Sequence, residues 1–435
     1  MQTIPALEDG PTSFGRTPAE SSESKTVAWQ MHRFSYFSEL RVAVARKIWS
    51  AAFARSLPSS FWTEQSRWNS IVDLLAGVHP EESEPRDENQ KLAAYLRGRA
   101  LNRFRSIYND NGKLRVLIQV STARLSMGGN SLFTNWVLGL THMGVACETV
   151  ETGYPVVDAV ERFKPTILFT SDHPAFLKWI DWVRLARFRE RNPMLLGLTA
   201  SAEHDGTGPA LPRLLKAKSR GVDFFVSFRD RHYIDEYLAE WKRHGFPVLS
   251  IPFSANPLWQ RMVPIPRPVL DYVFFGSVNI EKARRYLSYF KNVVRNHKGI
   301  LNGPGWGYDH LMIPTSSQPY AYACSAIGLN LHIPVSVDIA SEVNERTYIL
   351  ACCGCFQLCD KPKILENVFP ASAVPSAESA SEYYEMFLEY LKNDAARAAC
   401  VRHSLTGVYE NHLIFHRMVG FIEGVRPILQ NLGVV

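Results

Sequence analysis

The sequence predicts an α/β protein built from two similar halves in series, each a parallel sheet covered by helices. Short apolar segments alternate with helical patterns from residue 113 to 425, as they do in βαβ units. Each half also begins with a strand, a glycine-containing loop and a helix, first at 114–120 and again at 272–277. Ligands of such sheets bind at the carboxyl ends of the strands, so the cleft between two facing halves is the predicted site.

The first half begins at Lys113. Its first strand leads into a loop containing Gly128 and Gly129, and a helix follows. The glycine pair gives a ligand close access to the backbone at a helix N-terminus, although a simple tight turn explains it equally well. A dinucleotide site is disfavoured because no third glycine follows. Six strands and one short helix are predicted here: strands at 114–120, 146–150, 166–170, 195–199, 223–227 and 248–251, and a helix at 158–163.

Four prolines between 256 and 268 mark the boundary between the halves. The second half is predicted to hold strands at 272–277, before Gly303, at 327–332 and at 356–359, a helix at 281–296, and helices from 381 to 425 with one break near Gly407. The predicted domains are a leader at 1–27, a helical extension at 28–110, Rossmann-like domains at 111–260 and 261–425, and a tail at 426–435.

The N-terminal region belongs to neither predicted sheet. Residues 1–27 lack apolar periodicity and are predicted to be disordered. A basic amphipathic helix is predicted at 31–57 and fits an anionic membrane surface; the alternative is a helix packed on the body with its charges solvated. A second helix is predicted at 92–107.

The composition argues against several classes of protein. No apolar run approaches the roughly 18 residues that span a bilayer, and residues 1–25 lack the apolar core of a signal peptide. The formal charge of +6 suits anionic ligands but is too small to indicate nucleic acid. Seven cysteines, an odd number, indicate a reduced cytoplasmic protein, with peripheral contact at the inner membrane face as an option through 31–57.

Four of the cysteines raise the question of a metal site. Cys352, Cys353, Cys355 and Cys359 lie within eight residues, whereas zinc ligands come as pairs from two separated places. Small buried residues are therefore favoured, and no metal is expected.

The segment 344–358 carries the strongest indication of a ligand site. Asn344, Glu345, Arg346, Thr347 and Tyr348 open a predicted helix, and a strand begins near 356. Free backbone N–H groups at a helix N-terminus, next to an arginine, are suited to a phosphate-bearing ligand.

A second phosphate contact is expected in the loop after the first strand of the second half. Gly276 and Ser277 occupy this loop, and Lys282, Arg284 and Arg285 follow one turn later. One of these cations is expected to reach the phosphate, and solvated helix charges explain the others.

Two further sets of residues are candidates for contact or catalysis. Gly303 and Trp306 belong to a rigid turn whose tryptophan either stacks on a base or packs in the core. A general base is expected at a strand end, either Asp172 with His173 or the Glu-His-Asp run at 203–205, because each brings carboxylate and imidazole together.

Several short blocks, in this order and spacing, resemble one known family. They are 275–277, Gly303 with Trp306, 327–330, 344–348, 353–358, and the late His412 and Arg417. From about residue 272 to 425 the chain resembles the CgeB-like (spore-maturation) glycosyltransferases, which have the GT-B fold and a retaining-type C-terminal glycosyl transferase domain. The first half resembles the acceptor half of that fold more loosely.

The resemblance implies a hexosyltransferase-like enzyme that moves a sugar from a nucleotide-sugar donor to a hydroxyl acceptor. The second domain would hold the donor, which is a substrate, so no cofactor and no obligatory metal are implied. Arg346 and Thr347 would lie against the donor diphosphate and sugar, with Lys282 or Arg284 as a second cation. The acceptor is not indicated.

The chain departs from the paired-glutamate pattern of retaining relatives. Ser341 and Ile349 stand where that pattern places acidic residues, and the nearby Glu342 and Glu345 face other directions on a helix. Three interpretations are therefore open: an active glycosyltransferase, a catalytically inactive GT-B scaffold that serves as a binding or partner protein, and a sugar-nucleotide epimerase of the same architecture.

Overall fold

The computed structural model describes residues 84–109, 112–122, 127–201, 209–265, 267–278, 280–306, 313–333, 337–339 and 341–433. The predicted leader at 1–27 and the predicted basic helix at 31–57 lie outside the described residues. None of the described helices is long and apolar enough to span a bilayer.

The first half contains a sheet of six parallel strands in the order β2-β1-β3-β4-β5-β6. Its strands are β1 Arg115–Val120, β2 Ala146–Glu151, β3 Ile167–Thr170, β4 Leu195–Thr199, β5 Phe224–Ser227 and β6 Val248–Ser250. The helices up to the end of this half are α1 Glu88–Phe104, α2 Met127–His142, α3 Val156–Phe163, α4 Pro174–Leu177, α5 Trp182–Arg191, α6 Ala210–Ser219, α7 Arg231–Tyr237 and α8 Ala239–Arg243.

The second half contains a sheet of five parallel strands in the order β11-β10-β9-β7-β8. Its strands are β7 Leu270–Phe275, β8 Gly299–Asn302, β9 Ser325–Asn330, β10 Gln357–Asp360 and β11 Ser376–Ala377. Its helices are α9 Ile280–Asn296, α10 Gln318–Ala323, α11 Glu345–Cys352, α12 Leu365–Val368, α13 Ala380–Lys392, α14 Asp394–Asn411 and α15 Ile414–Asn431.

Both sheets have the doubly wound topology that the alternation of strands and helices predicted. The strand order reverses between β1 and β3 in the first sheet and between β7 and β9 in the second. A crevice forms at such a reversal, outside the carboxyl ends of the strands. The central strands are fully buried, because helices cover both faces of each sheet. The predicted α/β architecture of two doubly wound halves is confirmed.

The C-terminal helices return the chain to the first sheet. Phe421 of α15 packs against Trp136 of α2 and Phe224 of β5, with ring centroids 5.3 and 6.0 Å apart. The linker, the segment between β6 and β7, contacts the start of α15. There the N–H of Ile414 donates to the carbonyl of Ala255 at 2.7 Å.

The single helix break predicted near Gly407 is wrong. Gly407 lies inside α14, and the chain turns instead at Asn393 and at 412–413. The Asn393 side chain caps α14 by accepting from the N–H of Ala396 at 3.0 Å. The second turn forms where the chain becomes extended to pair with the linker at Ala255.

Candidate functional site

A cavity of about 340 Å³ opens between the two halves at the carboxyl ends of β7 and β8. The first half contributes Ser131 from the first turns of α2, and the linker contributes Trp259. The second half supplies the rest of the lining, which includes much of the predicted site: Phe275, Gly276, Ser277, Lys282, Asn302, Gly303, Pro304, Ile313, Thr315, Gln318, Tyr322, Asn344, Glu345, Arg346 and Ile349.

The N-terminus of α11 borders this cavity and is capped by Asn344. The Asn344 Oδ1 accepts from the N–H of Thr347 at 3.1 Å, and its Nδ2 donates to Asn330 Oδ1 at 2.8 Å. The N–H groups of Glu345 and Arg346 have no hydrogen-bond partner among the described residues. They are therefore open to an anionic ligand, which the helix dipole favours at this end.

The guanidinium of Arg346 is fixed in place beside these N–H groups. Its Nε donates to the carbonyl of Phe275 at 2.6 Å and its Nη1 to Asn330 Oδ1 at 3.2 Å, while its carbon lies 4.1 Å from the centre of the Phe274 ring. Within the described parts of the chain no carboxylate lies within ion-pair distance of Arg346. Its positive charge therefore faces the cavity without a counter-ion from the described residues.

The two glycine loops pack directly against Arg346 and against each other. A Cβ on Gly276 would clash with the Arg346 Nη2. Gly303 has a φ of +133°, and a Cβ there would lie 2.6 Å from the carbonyl oxygen of Gly276. Because both residues are glycines, the two loops can pack this closely beside the cavity without displacing the Arg346 side chain.

Glu345 lies between the two halves, and its carboxyl has a pKa near neutral pH. Asn256 Nδ2 and Trp259 Nε1 donate to Asn135 Oδ1 at 3.1 and 2.7 Å, so the Nδ2 of Asn135 is left to donate to Glu345 Oε1 at 3.4 Å. Burial raises the pKa of the Glu345 carboxyl from 4.5 to about 7, against the opposing effects of Asn135 and Arg346.

Of the three predicted cations on α9, one lines the cavity. Lys282 is part of the cavity wall. Arg284 is exposed and is not part of this wall. Arg285 instead donates to Asp360 Oδ2 at 2.7 Å. Lys282 is thus the second cation that the geometry favours.

Some residues of the predicted site lie elsewhere. Thr347 and Tyr348 are 0% and 2% exposed; Thr347 accepts from Asn330 Nδ2, and Tyr348 packs on His412. Gly128 and Gly129 belong to the first turn of α2 rather than to a loop, just before the lining residue Ser131.

Trp306 presents no aromatic face for stacking on a base. It is fully buried, its Nε1 donates to the carbonyl of Gly276 at 2.8 Å, and its ring stacks on Tyr286. Of the two alternatives for this residue, packing in the core is the one that the structure shows.

Asp172 and His173 line a different cavity, inside the first half. Asp172 forms an ion pair with Arg213 and accepts from Thr199 Oγ1 at 2.7 Å. His173 caps α4, its Nδ1 accepting from the N–H of Ala175 at 3.1 Å, so a neutral ring carries its proton on Nε2. The structure therefore does not bring this pair to Arg346, and their catalytic role stays a prediction. Residues 203–205 lie outside the described residues.

One of the two positions where the chain departs from the paired-glutamate pattern, Ile349, lies in the wall of the cavity. Ile349 lines the cavity one turn after Glu345. Glu342 does not line the cavity; it forms an ion pair with Arg229 of the first half, and next to it the N–H of Asp230 donates to the carbonyl of Ser341 at 2.7 Å. These contacts join the two halves beside the cavity.

A buried polar cluster lies at the carboxyl ends of β9 and β10. His332 Nδ1 lies 2.6 Å from Asp360 Oδ1, and the Cys359 sulfur lies 3.8 Å from the same nitrogen. Burial alone would raise the pKa of Asp360, but His332 and Arg285 hold it at about 2. Arg285 already forms an ion pair with this carboxylate, so a metal ion bound here would be repelled by the guanidinium. The cluster therefore fits an internal ion network better than a metal site.

The four neighbouring cysteines are buried. Burial raises the pKa of Cys352 and of Cys355 to about 12, so both thiols are neutral. Among the described residues, Cys359 alone of these four belongs to a group of potential metal ligands. The prediction that they are buried small residues is confirmed.

Sequence reasoning missed Asn135, the first-half residue that contacts Glu345. A signal was present, since Ser131 and Asn135 are polar residues four apart on α2 and therefore share one face of the helix. It also missed Trp259, whose role depends on the linker folding back under α2, a tertiary contact with no local pattern.

Comparison with solved structures identifies the fold as GT-B. A glycosyltransferase from Rickettsia africae ESF-5 is 9% identical with a TM-score of 0.50, covering 73% of this chain and 99% of that one. A sucrose-phosphate synthase from Thermosynechococcus elongatus (10%, TM-score 0.46, 74% and 100%) and the T4 phage BGT in complex with its UDP-glucose substrate (11%, 0.44, 73% and 99%) are also similar. At 9% identity the likeness to the Rickettsia structure defines the fold alone.

Residues 284–423 match a family model described as glycosyl transferase-like. This segment begins inside α9 and includes Glu345, Arg346 and Ile349. No curated protein matches the chain. A large part of the second half is therefore similar to glycosyl transferase-like domains, in a protein with the GT-B fold.

Proposed function

We propose that this protein transfers a sugar from a nucleotide-sugar donor to a hydroxyl acceptor, with the donor diphosphate bound at Arg346. One observation carries the proposal: in a cavity between the two halves of a GT-B fold, a guanidinium is held beside helix N–H groups, and neither has a partner of opposite charge or a hydrogen-bond acceptor facing the cavity among the described residues. The family match over 284–423 supports sugar transfer as the reaction class.

The proposed role of Arg346 is to stabilise the leaving group. When the bond between the sugar and the diphosphate breaks, negative charge grows on the phosphate oxygens. A guanidinium already fixed by Phe275 and Asn330 does not need to reorganise as this charge develops. Lys282 and the N–H groups of α11 add to the same positive field.

The proposed reaction needs no metal ion, because the cavity wall itself supplies cations next to the expected diphosphate. Glu345 fits the same scheme: with a pKa of about 7 its carboxyl is largely neutral under mildly acidic conditions. It can then donate a hydrogen bond to the donor instead of repelling its phosphates.

The proposed setting is the cytoplasm. All seven cysteines are free and none forms a disulfide, which fits a reducing compartment. Membrane contact through 31–57 is a separate hypothesis.

The test is a screen of nucleotide sugars for hydrolysis or transfer, repeated with Arg346→Ala and with Arg284→Ala as the matched control. Loss of one charged hydrogen-bonding group in a closed site costs about 3 kcal/mol, so we expect Arg346→Ala to lower turnover by roughly 100-fold or more. Arg284, exposed on α9 and outside the cavity, should be replaceable without effect.

Unchanged turnover in Arg346→Ala would rule the assignment out. Absence of any turnover, together with absence of nucleotide binding, would favour the second candidate, an inactive GT-B scaffold acting as a binding or partner protein. The observation that favours this second candidate is Ile349, an apolar side chain in the cavity wall where relatives are expected to carry a carboxylate.

A further inference from the structure

A second pocket, of about 700 Å³, lies within the first half and is separate in its lining from the cavity at Arg346. It lies between α4 and α5 on one side and α6 on the other. Leu198 of β4, Phe225 of β5 and Leu214 of α6 contribute apolar surface to it. Its volume is in the range of pockets that enclose small organic ligands, about 300–1,000 Å³.

The charged groups around this pocket are mainly positive. Lys178, Lys216 and Arg220 line it, and none of the three has a carboxylate within ion-pair distance in the described part of the chain. Asp172 is the one acidic residue among the described residues that line it, and Arg213 pairs with this carboxylate. The three cations are thus left to attract an anion.

Two tryptophans give the pocket an aromatic wall. The guanidinium carbon of Arg220 lies 4.1 Å from the centre of the Trp182 ring. Trp241 is 1% exposed, and its indole Nε1–H has no hydrogen-bond partner among the described residues. Trp241 is nevertheless a lining residue, so its ring adds apolar surface to this wall.

From this juxtaposition we propose that the pocket binds a ligand with a phosphate group and an apolar or aromatic body. The three cations, which have no counter-ion among the described residues, would hold the phosphate, and the apolar surface would enclose the body. A lipid phosphate and a soluble phosphorylated metabolite share this chemistry. The proposal goes beyond the proposed sugar transfer and does not rest on it.

The experiment measures binding by calorimetry to the full chain with three probes: inorganic phosphate, glucose 1-phosphate and a short-chain phosphatidic acid below its micelle concentration. Lys216→Gln and Arg220→Gln remove charges that line the pocket. Lys218→Gln, exposed on the same helix and outside the pocket lining, is the matched control. Lys282→Gln checks whether a probe occupies the cavity at Arg346 instead.

We expect at least one organic phosphate to bind, and each pocket variant to weaken it roughly 10-fold, the value of one charge-assisted hydrogen bond. Lys218→Gln and Lys282→Gln should bind it like the wild type. Preference for the phosphatidic acid indicates a lipid source, and preference for glucose 1-phosphate a soluble one. Absence of binding by all probes, or binding that is insensitive to both pocket variants, would overturn the proposal.

Discussion

The carboxyl of Glu345 should make the stability of the protein fall as the pH rises from about 4.5 to 7. Its pKa is raised from 4.5 to about 7, so in this range the native state keeps a proton that the unfolded chain has lost. The native state therefore binds more protons, and its free energy of unfolding decreases with pH. Above pH 7 the carboxyl is ionised in both states, so the native state bears the full cost of burying the charged carboxylate.

The size of this effect follows from the same pKa values. At about 1.4 kcal/mol per pH unit, the rise from 4.5 to about 7 corresponds to at most about 3 kcal/mol. Because Glu345 is only partly buried, screening by solvent reduces this value, and we expect roughly 1–3 kcal/mol. Glu345→Gln keeps the shape and the acceptor for Asn135 but cannot ionise.

The assay is urea denaturation of the wild type and Glu345→Gln at pH 5 and pH 8. The variant should be more stable than the wild type at pH 8, and the difference should nearly disappear at pH 5. Glu385→Gln, exposed on α13, is the control and should not alter the pH dependence. A difference between Glu345→Gln and the wild type that is the same at both pH values would refute the reasoning.

The ionisation of Glu345 should also make the affinity for a nucleotide sugar depend on pH. A nucleotide sugar, whose diphosphate does not change charge between pH 6 and 8, should bind more weakly to the wild type as Glu345 ionises. In Glu345→Gln the affinity should be constant over this range. Equal pH profiles would remove Glu345 from the donor site.

Three further predictions test the cavity and the N-terminal region. If a ribose hydroxyl lies at this wall, Ile349→Glu should tighten nucleotide binding by roughly 10-fold, because the carboxylate would accept its hydrogen bond. Ile349→Gln should increase the affinity by a smaller factor. Weaker nucleotide binding by Ile349→Glu would contradict this placement of the ribose. Treatment with EDTA should leave turnover within about 2-fold of the untreated enzyme, and a loss that added Mg²⁺ restores would show that a metal takes part. The full chain should sediment with anionic liposomes and a chain lacking residues 1–60 should not; equal recovery in both supernatants would remove the membrane hypothesis.

Most of the scaffold could be predicted because its pattern is local. Buried parallel strands read as short apolar runs, so the prediction of β3 at 166–170 and β4 at 195–199 differs from the observed bounds by a residue at most. A helix opening at 344–348 was also predicted, and the structure shows it at 345–352 with Asn344 as its N-cap. The turn at Asn393 was missed although Asn is a frequent helix cap, and a break was predicted near Gly407 instead.

Part of the candidate site could not be predicted because it depends on contacts between distant segments. The position of Arg346 follows from its helix, but its fixed orientation depends on Phe275 and Asn330 in other strands. The link from Asn135 to Glu345 spans 210 residues and needs both halves folded. Trp306 illustrates the limit most plainly, since a turn sequence does not show whether its aromatic ring faces a ligand or the core.

The central claim is that the cavity at Arg346 binds a nucleoside diphosphate, and calorimetry tests it most directly. Titration of a panel of nucleoside diphosphates into the wild type, Arg346→Ala and Arg284→Ala requires no knowledge of the acceptor or the sugar. We predict that at least one nucleotide binds the wild type and Arg284→Ala equally, at a single site, and that binding to Arg346→Ala is at least 10-fold weaker. Absence of binding to the wild type by every member of the panel would contradict the claim.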